Sequence, residues 1–96
     1  MTKLPLEGIR VIDCSHIVAG PFASMLLAQA GAQVIKLEPP RTGERLRRGT
    51  SIPNDIGERA PLNFIALNRG KLGVTLNLKD PQGKHAFKKL VAVSDV

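Results

Sequence analysis

Two short apolar runs, separated by a longer apolar stretch, dominate the first part of the chain. Ile9–Ile12 is rich in β-branched residues, as is typical of a buried strand, and Gln33–Leu37 forms a second short run. Pro21–Ala30 lies between them and is rich in helix formers, with its proline expected at the first helical position and Gly31 at the C-terminal cap. Because about ten helical residues join the two strands, the pattern predicts a βαβ unit with parallel pairing.

The rest of the chain predicts a long loop, a third strand and a second helix. Pro39–Ala60 is rich in Arg, Gly and Pro, and we expect a long loop of functional or mobile character there. A brief helical turn is predicted over Pro61–Leu67, and Val74–Leu78 alternates with a period near two, which predicts a strand. Asp80 is expected to cap a helix over Pro81–Val91.

These elements predict an α/β fold built on a partial Rossmann-like parallel sheet, in the order βαβ, long loop, βα. Ser94–Val96 has the character of a further element that begins there. Three parallel strands and two helices leave open sheet edges and uncovered apolar surface. We therefore expect the chain to self-associate or to belong to a longer one.

Composition indicates the size of the domain and its cellular compartment. The chain has 96 residues, 43% of them hydrophobic and 23% charged, which suits one small soluble domain. The single cysteine, Cys14, excludes an internal disulfide, indicates a reducing compartment, and is expected to be a small buried residue. No apolar run reaches the length of a membrane span, and the first residues lack an apolar signal core. We expect a cytoplasmic protein with no membrane partner.

The charge balance narrows the ligand class. A net charge of +6 and a pI near 10.1 attract polyanions. Stacking aromatics are scarce and no nucleic-acid motif is found, so we expect no nucleic-acid partner. Metal-ligand spacing, the P-loop pattern and the Gly-x-Gly-x-x-Gly fingerprint are also missing from the sequence, and no metal is expected. Of the ligand classes that a basic chain attracts, a phosphate-bearing small molecule is the one that we expect.

Candidate binding residues follow the three predicted strands. His16–Ala19 comes after the first strand, Arg41 after the second and Lys79 after the third. Ligands of open parallel sheets bind beyond the carboxyl ends of the strands, so these residues are expected to share one edge. Two cations and the N-terminus of the first helix would suit a phosphate.

Each candidate also has a simpler interpretation. Arg41 and Lys79 could be solvated surface charges, and His16 could be a structural histidine that caps the turn. Asp13 is expected to orient backbone N–H groups in that turn, without acid–base work. Lysines on the second helix are expected to form its solvent face, opposite an apolar face; the lysines are Lys84, Lys88 and Lys89, and the apolar residues are Ala86, Phe87, Leu90 and Val91.

Several stretches resemble the opening of the class III CoA-transferases, the CaiB/BaiF family, which also contains the α-methylacyl-CoA racemases. They occur in the family's order and cover essentially the whole chain: Leu4–Asp13, Ala19–Pro21, Leu27–Pro39, Gly43–Arg47, Asn68–Lys71, Leu76–Gly83 and Ser94–Val96. The resemblance implies that residues 1–96 are the incomplete N-terminal portion of a CoA-binding, Rossmann-like large domain, with no second domain in this chain.

The resemblance also implies a reaction. Family members move CoA from an acyl-CoA to a carboxylic acid, and an aspartate attacks the thioester. That aspartate is expected downstream of these 96 residues, so no catalytic residue is assigned here and the chain alone is predicted to be inactive. CoA or acyl-CoA enters as substrate, no metal is implied, and the family forms homodimers of interlocked subunits.

Site residues carry over position by position. His16, Ile17, Val18 and Ala19 match the turn near the thioester and pantetheine, and Leu76 and Lys79 match contacts to the nucleotide portion of CoA. Arg41 and Lys71, the last residue of the Asn68–Lys71 motif, complete the candidate set.

Two positions depart from the family pattern. Pro39 stands where many members carry a basic residue for the CoA phosphates, and Arg41 is the candidate replacement. Glu44 stands where Asp is commoner, and we expect little from that change.

Two alternatives stay open. The chain could belong to the racemase branch, which shares the CoA-binding half but moves an α-proton. From another class, it could be a non-catalytic module that binds a polyanion through the basic stretch Arg41–Arg48.

Overall fold

The computed structural model describes residues 2–48, 51–53 and 59–96, and a parallel sheet organises them. In chain order the elements are β1 (Arg10–Asp13), α1 (Ala19–Gln29), β2 (Gln33–Glu38), a 3-10 helix (Arg45–Arg48), β3 (Ser51–Pro53), β4 (Arg59–Pro61), α2 (Leu62–Leu67), β5 (Leu72–Thr75) and α3 (Pro81–Ala92). The sheet has the order β1-β2-β5, and both pairings are parallel. The predicted α/β class, the βαβ unit and the parallel sheet are confirmed.

Register places the carboxyl ends of the three strands at one edge. Asp13 pairs with Lys36 across β1 and β2, and Glu38 pairs with Thr75 across β2 and β5. The segments that follow Asp13, Glu38 and Thr75 therefore leave the sheet on the same side. This is the geometry that a strand-end ligand site requires.

The side chains of β1 alternate between the two faces of the sheet. Val11 and Asp13 are buried on the side of α1, whose Ser24 hydroxyl donates to Asp13. Ile12 and Cys14 lie on the opposite side, where they border a cavity with Phe87 of α3. The central strand β2 is buried from its second residue to its last, as expected for a strand covered on both faces.

The far edge of β1 is also paired. The Ile12 N–H donates to the Val96 carbonyl at 2.8 Å, and the Asp95 N–H donates to the Arg10 carbonyl at 2.9 Å. No helix or strand is assigned over residues 94–96, so the further element expected there stays a prediction. The last described residues nevertheless hydrogen-bond to the backbone of β1.

Two elements differ most from their predicted ranges, and β5 begins at Leu72, not at Val74. Helix α1 begins at Ala19, with Val18 as its cap, so Pro21 lies in the first turn but not at the first position. Strand β5 ends at Thr75, not at Leu78. Although the Leu76 N–H still donates to the Glu38 carbonyl, the next bond in this register would come from position 40. Pro40 has no N–H, so the ladder stops there.

The long loop predicted over Pro39–Ala60 is wrong in part, and residues 49–50 and 54–58 of it lie outside the described residues. It contains the 3-10 helix, and β3 pairs with β4 in an antiparallel hairpin. Its first residues fold back because the Glu38 carboxylate at the end of β2 accepts bonds from Glu44 and Arg47. The described strands of the hairpin have three residues each, which is too short to show a periodic pattern.

Helix α3 and the cap of α1 follow the prediction closely. The Asp80 carboxylate accepts the Gln82 N–H at 2.8 Å, and Pro81 is the first helical residue. The three lysines of α3 are exposed. Gly31 follows α1 with φ = 106°, a left-handed conformation that glycine adopts without strain. None of the described helices is long and apolar enough to cross a membrane.

Candidate functional site

A cavity of about 200 Å³ lies at the carboxyl edge of the sheet and is formed by residues that follow all three strands. Its lining consists of Cys14, His16, Leu37, Glu38, Pro39, Leu76, Asn77, Leu78 and Lys79. His16 and Lys79, which the strand-end argument placed at one edge, line the same cavity, together with Leu76. Their part in ligand binding stays a prediction.

The loop that carries Lys79 is fixed by its own polar groups. The Asn77 side-chain oxygen accepts the Lys79 N–H at 3.1 Å, and the Asn77 carbonyl accepts the Asp80 N–H at 3.1 Å. Gly83 of α3 packs so closely on this loop that a Cβ there would overlap the Asn77 carbonyl oxygen. The exposed Lys79 side chain thus extends from a well-defined turn.

Arg41 lies beside this cavity, not in its lining. It borders a second cavity, also of about 200 Å³, together with Thr42 and Arg47, and the two cavities share Glu38 and Pro39. Arg41 is exposed and has φ = 67°. Its part in ligand binding stays a prediction.

Below the cavity, a buried carboxylate organises the end of β1. Asp13 accepts the Ser15 N–H at 2.8 Å, the Ser15 hydroxyl, the Ser24 hydroxyl at 2.7 Å and the Lys71 ammonium at 2.8 Å. The Lys36 ammonium lies 3.8 Å away and donates to the Ser15 carbonyl at 3.2 Å. Asp13 does orient a backbone N–H in the turn, as predicted, but it also neutralises two lysines.

The pKa values of Asp13 and Lys36 in this cluster differ from their ordinary values. Burial alone would raise the pKa of Asp13, but the hydrogen bonds from Lys71, Ser15 and Ser24 lower it well below its usual range. Burial lowers the pKa of Lys36, and the Asp13 carboxylate opposes that shift. The side chains of Lys36 and Lys71 are each 2% exposed, so both ammonium groups depend on this carboxylate.

Lys71 is therefore not brought to the rim where it was expected. Its ammonium is enclosed by the Asp13 carboxylate, the Pro21 carbonyl at 2.9 Å and the Asn68 side-chain oxygen at 2.8 Å. This arrangement joins the segment before β5 to the first turn of α1. Contact of Lys71 with CoA stays a prediction, and in this structure its hydrogen bonds go to the protein.

A second ion pair joins Glu38, the last residue of β2, to Arg47 of the basic stretch. The Arg47 guanidinium donates to both carboxylate oxygens of Glu38, at 2.6 and 2.8 Å, and its centre lies 3.9 Å from the centre of the Phe64 ring. The bond from Arg47 lowers the pKa of Glu38, and the same bond raises the pKa of Arg47. Gly43, at φ = 65°, leaves the space that the pair occupies.

The turn between β1 and α1 is held by Glu44. One oxygen of this fully buried carboxylate accepts the Ile17 N–H at 2.6 Å and lies 3.9 Å from Nδ1 of His16. Ile17 has φ = 74°, which is unfavourable for a β-branched residue. Ile17, Val18 and Ala19 are exposed and, unlike His16, are not part of the cavity lining, so their part in ligand binding stays a prediction.

Cys14 is exposed, which contradicts the expectation that it is buried. It lies one residue beyond the buried Asp13, on the face of Ile12, where it borders both the site cavity and an apolar cavity of about 260 Å³ next to α3. Although the residue is exposed, partial burial of its sulfur and the neighbouring Asp13 charge raise the pKa of the thiol, which disfavours the thiolate.

Sequence reasoning missed the buried charges. Lys36 stood inside an apolar strand, and that position could have indicated a buried partner, because lysine is rarely enclosed without one. Glu44 and Arg47 gave no comparable indication, since both lie in a polar, basic stretch where charged residues are ordinary.

The fold is that of an α/β protein with a cavity at the carboxyl edge of a parallel sheet. The model of CoA-transferase family III matches residues 6–96, and the chain belongs to this family. The resemblance read from the sequence is thereby confirmed.

Relatives in this family share the chain's whole length. The beta subunit of succinyl-CoA–L-malate CoA-transferase from Chloroflexus aurantiacus is 48% identical over 96 residues, covering 99% of this chain and 23% of that protein. Formyl-CoA:oxalate CoA-transferase from Streptomyces avermitilis is 46% identical and covers 100% of this chain and 22% of that protein.

A solved structure agrees with the fold. A CaiB/BaiF family protein from Brucella suis matches with a TM-score of 0.86 at 35% identity, over 98% of this chain and 25% of that one. The chain thus spans less than a quarter of the two transferases and a quarter of this structure.

Proposed function

We propose that residues 1–96 form the CoA-binding N-terminal part of a class III, formyl-CoA transferase-like enzyme that moves CoA from an acyl-CoA to a carboxylic acid. The observation that supports this most is the cavity that joins His16, Leu76 and Lys79 at the carboxyl edge of the sheet. The names of the relatives support the transferase reaction.

Charge distribution supports one orientation of CoA. Lys79 and Arg41 present exposed cationic side chains that suit its phosphates. The turn before α1 already holds the Glu44 carboxylate, so a phosphate there would meet a negative charge. The uncharged pantetheine and thioester suit that end better.

In this proposal the chain binds and orients CoA and supplies no nucleophile. Asp13 is unsuited to attack a thioester, because both of its oxygens are occupied and its side chain is 1% exposed. The nucleophilic aspartate is contributed outside these residues, and the 96-residue chain alone shows no turnover. The working protein is a cytoplasmic, interlocked homodimer.

The two alternatives have less support. A racemase would need an acid–base pair in place of the nucleophile, and the relatives compared above carry transferase names. A polyanion module would use the basic stretch Arg41–Arg48, but Arg47 is paired with Glu38. Three of its four arginines remain as candidates for that role.

Calorimetric titration of the chain with CoA tests the binding proposal. Lys79→Ala is expected to weaken binding roughly tenfold, since it removes a charged contact worth about 1.4 kcal/mol. Lys89→Ala removes an equally exposed lysine from α3 and should leave the affinity unchanged. No CoA binding, equal losses in the two variants, or displacement of CoA by an oligonucleotide at moderate salt would contradict the proposal.

A chimera tests the catalytic context. Residues 1–96 replace the matching segment of the Streptomyces avermitilis formyl-CoA:oxalate CoA-transferase, to which they are 46% identical. The chimera should retain transferase activity, and Lys79→Ala in it should raise the KM for the acyl-CoA. A folded chimera without turnover would count against the proposal.

A further inference from the structure

We infer that Glu44 is a positioning residue that fixes the His16–Ala19 turn for the pantetheine arm of CoA. This inference rests on the proposed function. Sequence comparison of motifs gave Glu44 no role, whereas the structure places its carboxylate directly against the backbone of the turn.

The His16–Ala19 turn has a strained backbone conformation, which a contact from outside the turn must stabilise. Ile17 has φ = 74°, where its branched Cβ crowds the backbone, and its side chain is 42% exposed, so little packing compensates. The Val18 side chain is exposed as well, and α1 has no side-chain cap at its first turn. The bond from the Ile17 N–H to Glu44, 27 residues away, is the contact that opposes relaxation of Ile17.

Both the backbone and the side chain of Glu44 are fixed by the fold. Its backbone N–H donates to Glu38 at 2.7 Å, and Glu38 is clamped by both bonds from Arg47. The carboxylate is 0% exposed, so its position is set by the fold and not by solvent. A rigid connection therefore runs from the end of β2 to the turn after β1.

A contribution to folding stability does not by itself explain why the Glu44 carboxylate is buried. Its second oxygen, Oε2, is buried and has no hydrogen-bond partner in the part of the chain that the structure describes. A buried acceptor without a partner destabilises a fold, so its presence calls for an explanation other than stability. That explanation lies at the rim: the Glu44 bond fixes the backbone between His16, which lines the cavity, and the start of α1.

Glu44→Gln is the sharpest test, because the amide keeps the shape and the acceptor but removes the charge. The variant is titrated with CoA and with 3′-phosphoadenosine 5′-diphosphate, which is the nucleotide half of CoA without pantetheine. CoA should bind about tenfold more weakly, equivalent to about 1.4 kcal/mol, because charged hydrogen bonds are the stronger ones. The nucleotide half should bind within twofold of wild type. Glu7→Gln, the same change at an exposed site, should alter neither affinity.

Ile17→Gly provides the second variant. Glycine adopts a positive φ without strain, so Glu44→Gln should cost CoA affinity less than threefold in the Ile17→Gly background. A full tenfold loss there would show that Glu44 does not act through Ile17. Hydrogen exchange of the wild-type protein adds a measurement without substitution: the Ile17 amide should exchange at least tenfold more slowly than the amide of exposed Val18.

The outcomes separate the two proposals. If wild type binds neither CoA nor the nucleotide half, the proposed function fails. If wild type binds both and Glu44→Gln weakens both equally, or neither, Glu44 has no positioning role. If the variant does not fold, a fast-exchanging Ile17 amide in wild type overturns the inference and a protected one supports it.

Discussion

Asp13→Asn should destabilise the protein strongly, because the Asp13 carboxylate lies against two enclosed lysines. Its oxygens accept the Lys71 ammonium at 2.8 Å and lie 3.8 Å from that of Lys36, and both lysine side chains are 2% exposed. Breaking a buried pair by removing one partner typically costs about 3–5 kcal/mol, since the remaining charge stays buried. A domain is usually stable by about 5–15 kcal/mol, so the loss is a large fraction of the total.

Urea unfolding at pH 7, followed by circular dichroism, measures this loss. The chain has no Trp or Tyr, so intrinsic fluorescence is not a suitable probe. Asp80→Asn is the matched control, because asparagine caps a helix about as well as aspartate and Asp80 is exposed. Its cost should stay below about 0.5 kcal/mol.

A double variant identifies the cause. Adding Lys71→Met to Asp13→Asn removes one of the unpaired ammonium groups, so the double variant should be more stable than Asp13→Asn alone. If Asp13→Asn costs no more than Asp80→Asn, the buried charges do not organise this region and the reasoning about the cluster is refuted.

Two further predictions follow. The pKa values of Asp13 and Glu38 are lowered in the folded chain, so on acidification the unfolded state takes up their protons first. The stability that they contribute is complete above their unfolded values, about 3.9 and 4.3, and the urea midpoint should fall as the pH drops below that range; a constant midpoint down to pH 2 would contradict this. Gly83→Ala should destabilise by roughly 1–3 kcal/mol and weaken CoA binding, because its Cβ would overlap the Asn77 carbonyl. Gly73→Ala, with open space around the position, should cost under about 1 kcal/mol in the same urea unfolding assay.

The parallel sheet was predictable because its signals are local. Short β-branched runs on either side of a helical stretch, closed by Gly31, determine a βαβ unit without any knowledge of tertiary contacts. The edge shared by His16, Leu76 and Lys79 then follows from parallel pairing alone, whatever the details of the side chains. Even the early end of β5 has a sequence cause, since Pro40 cannot continue the ladder.

Long-range polar contacts were not predictable in the same way. Nothing near Lys71 in the sequence indicates that it pairs with Asp13, 58 residues earlier, and so it was assigned to the ligand. Glu44 reaches Ile17 across 27 residues, and its importance lies in burial that a polar loop does not suggest. Cys14 was misjudged because strand alternation places it with Ile12, next to a cavity that α3 leaves open.

Pairing of Asp95 and Val96 with Arg10 has a consequence for where a ligand fits. The chain first adds β2 and β5 on one side of β1 and then returns to hydrogen-bond on the other side. Backbone hydrogen bonding on both of its sides makes β1 an internal strand and not an exposed edge. Its carboxyl end, where Cys14 borders two cavities, therefore lies within the sheet, and a ligand placed there would meet both cavities.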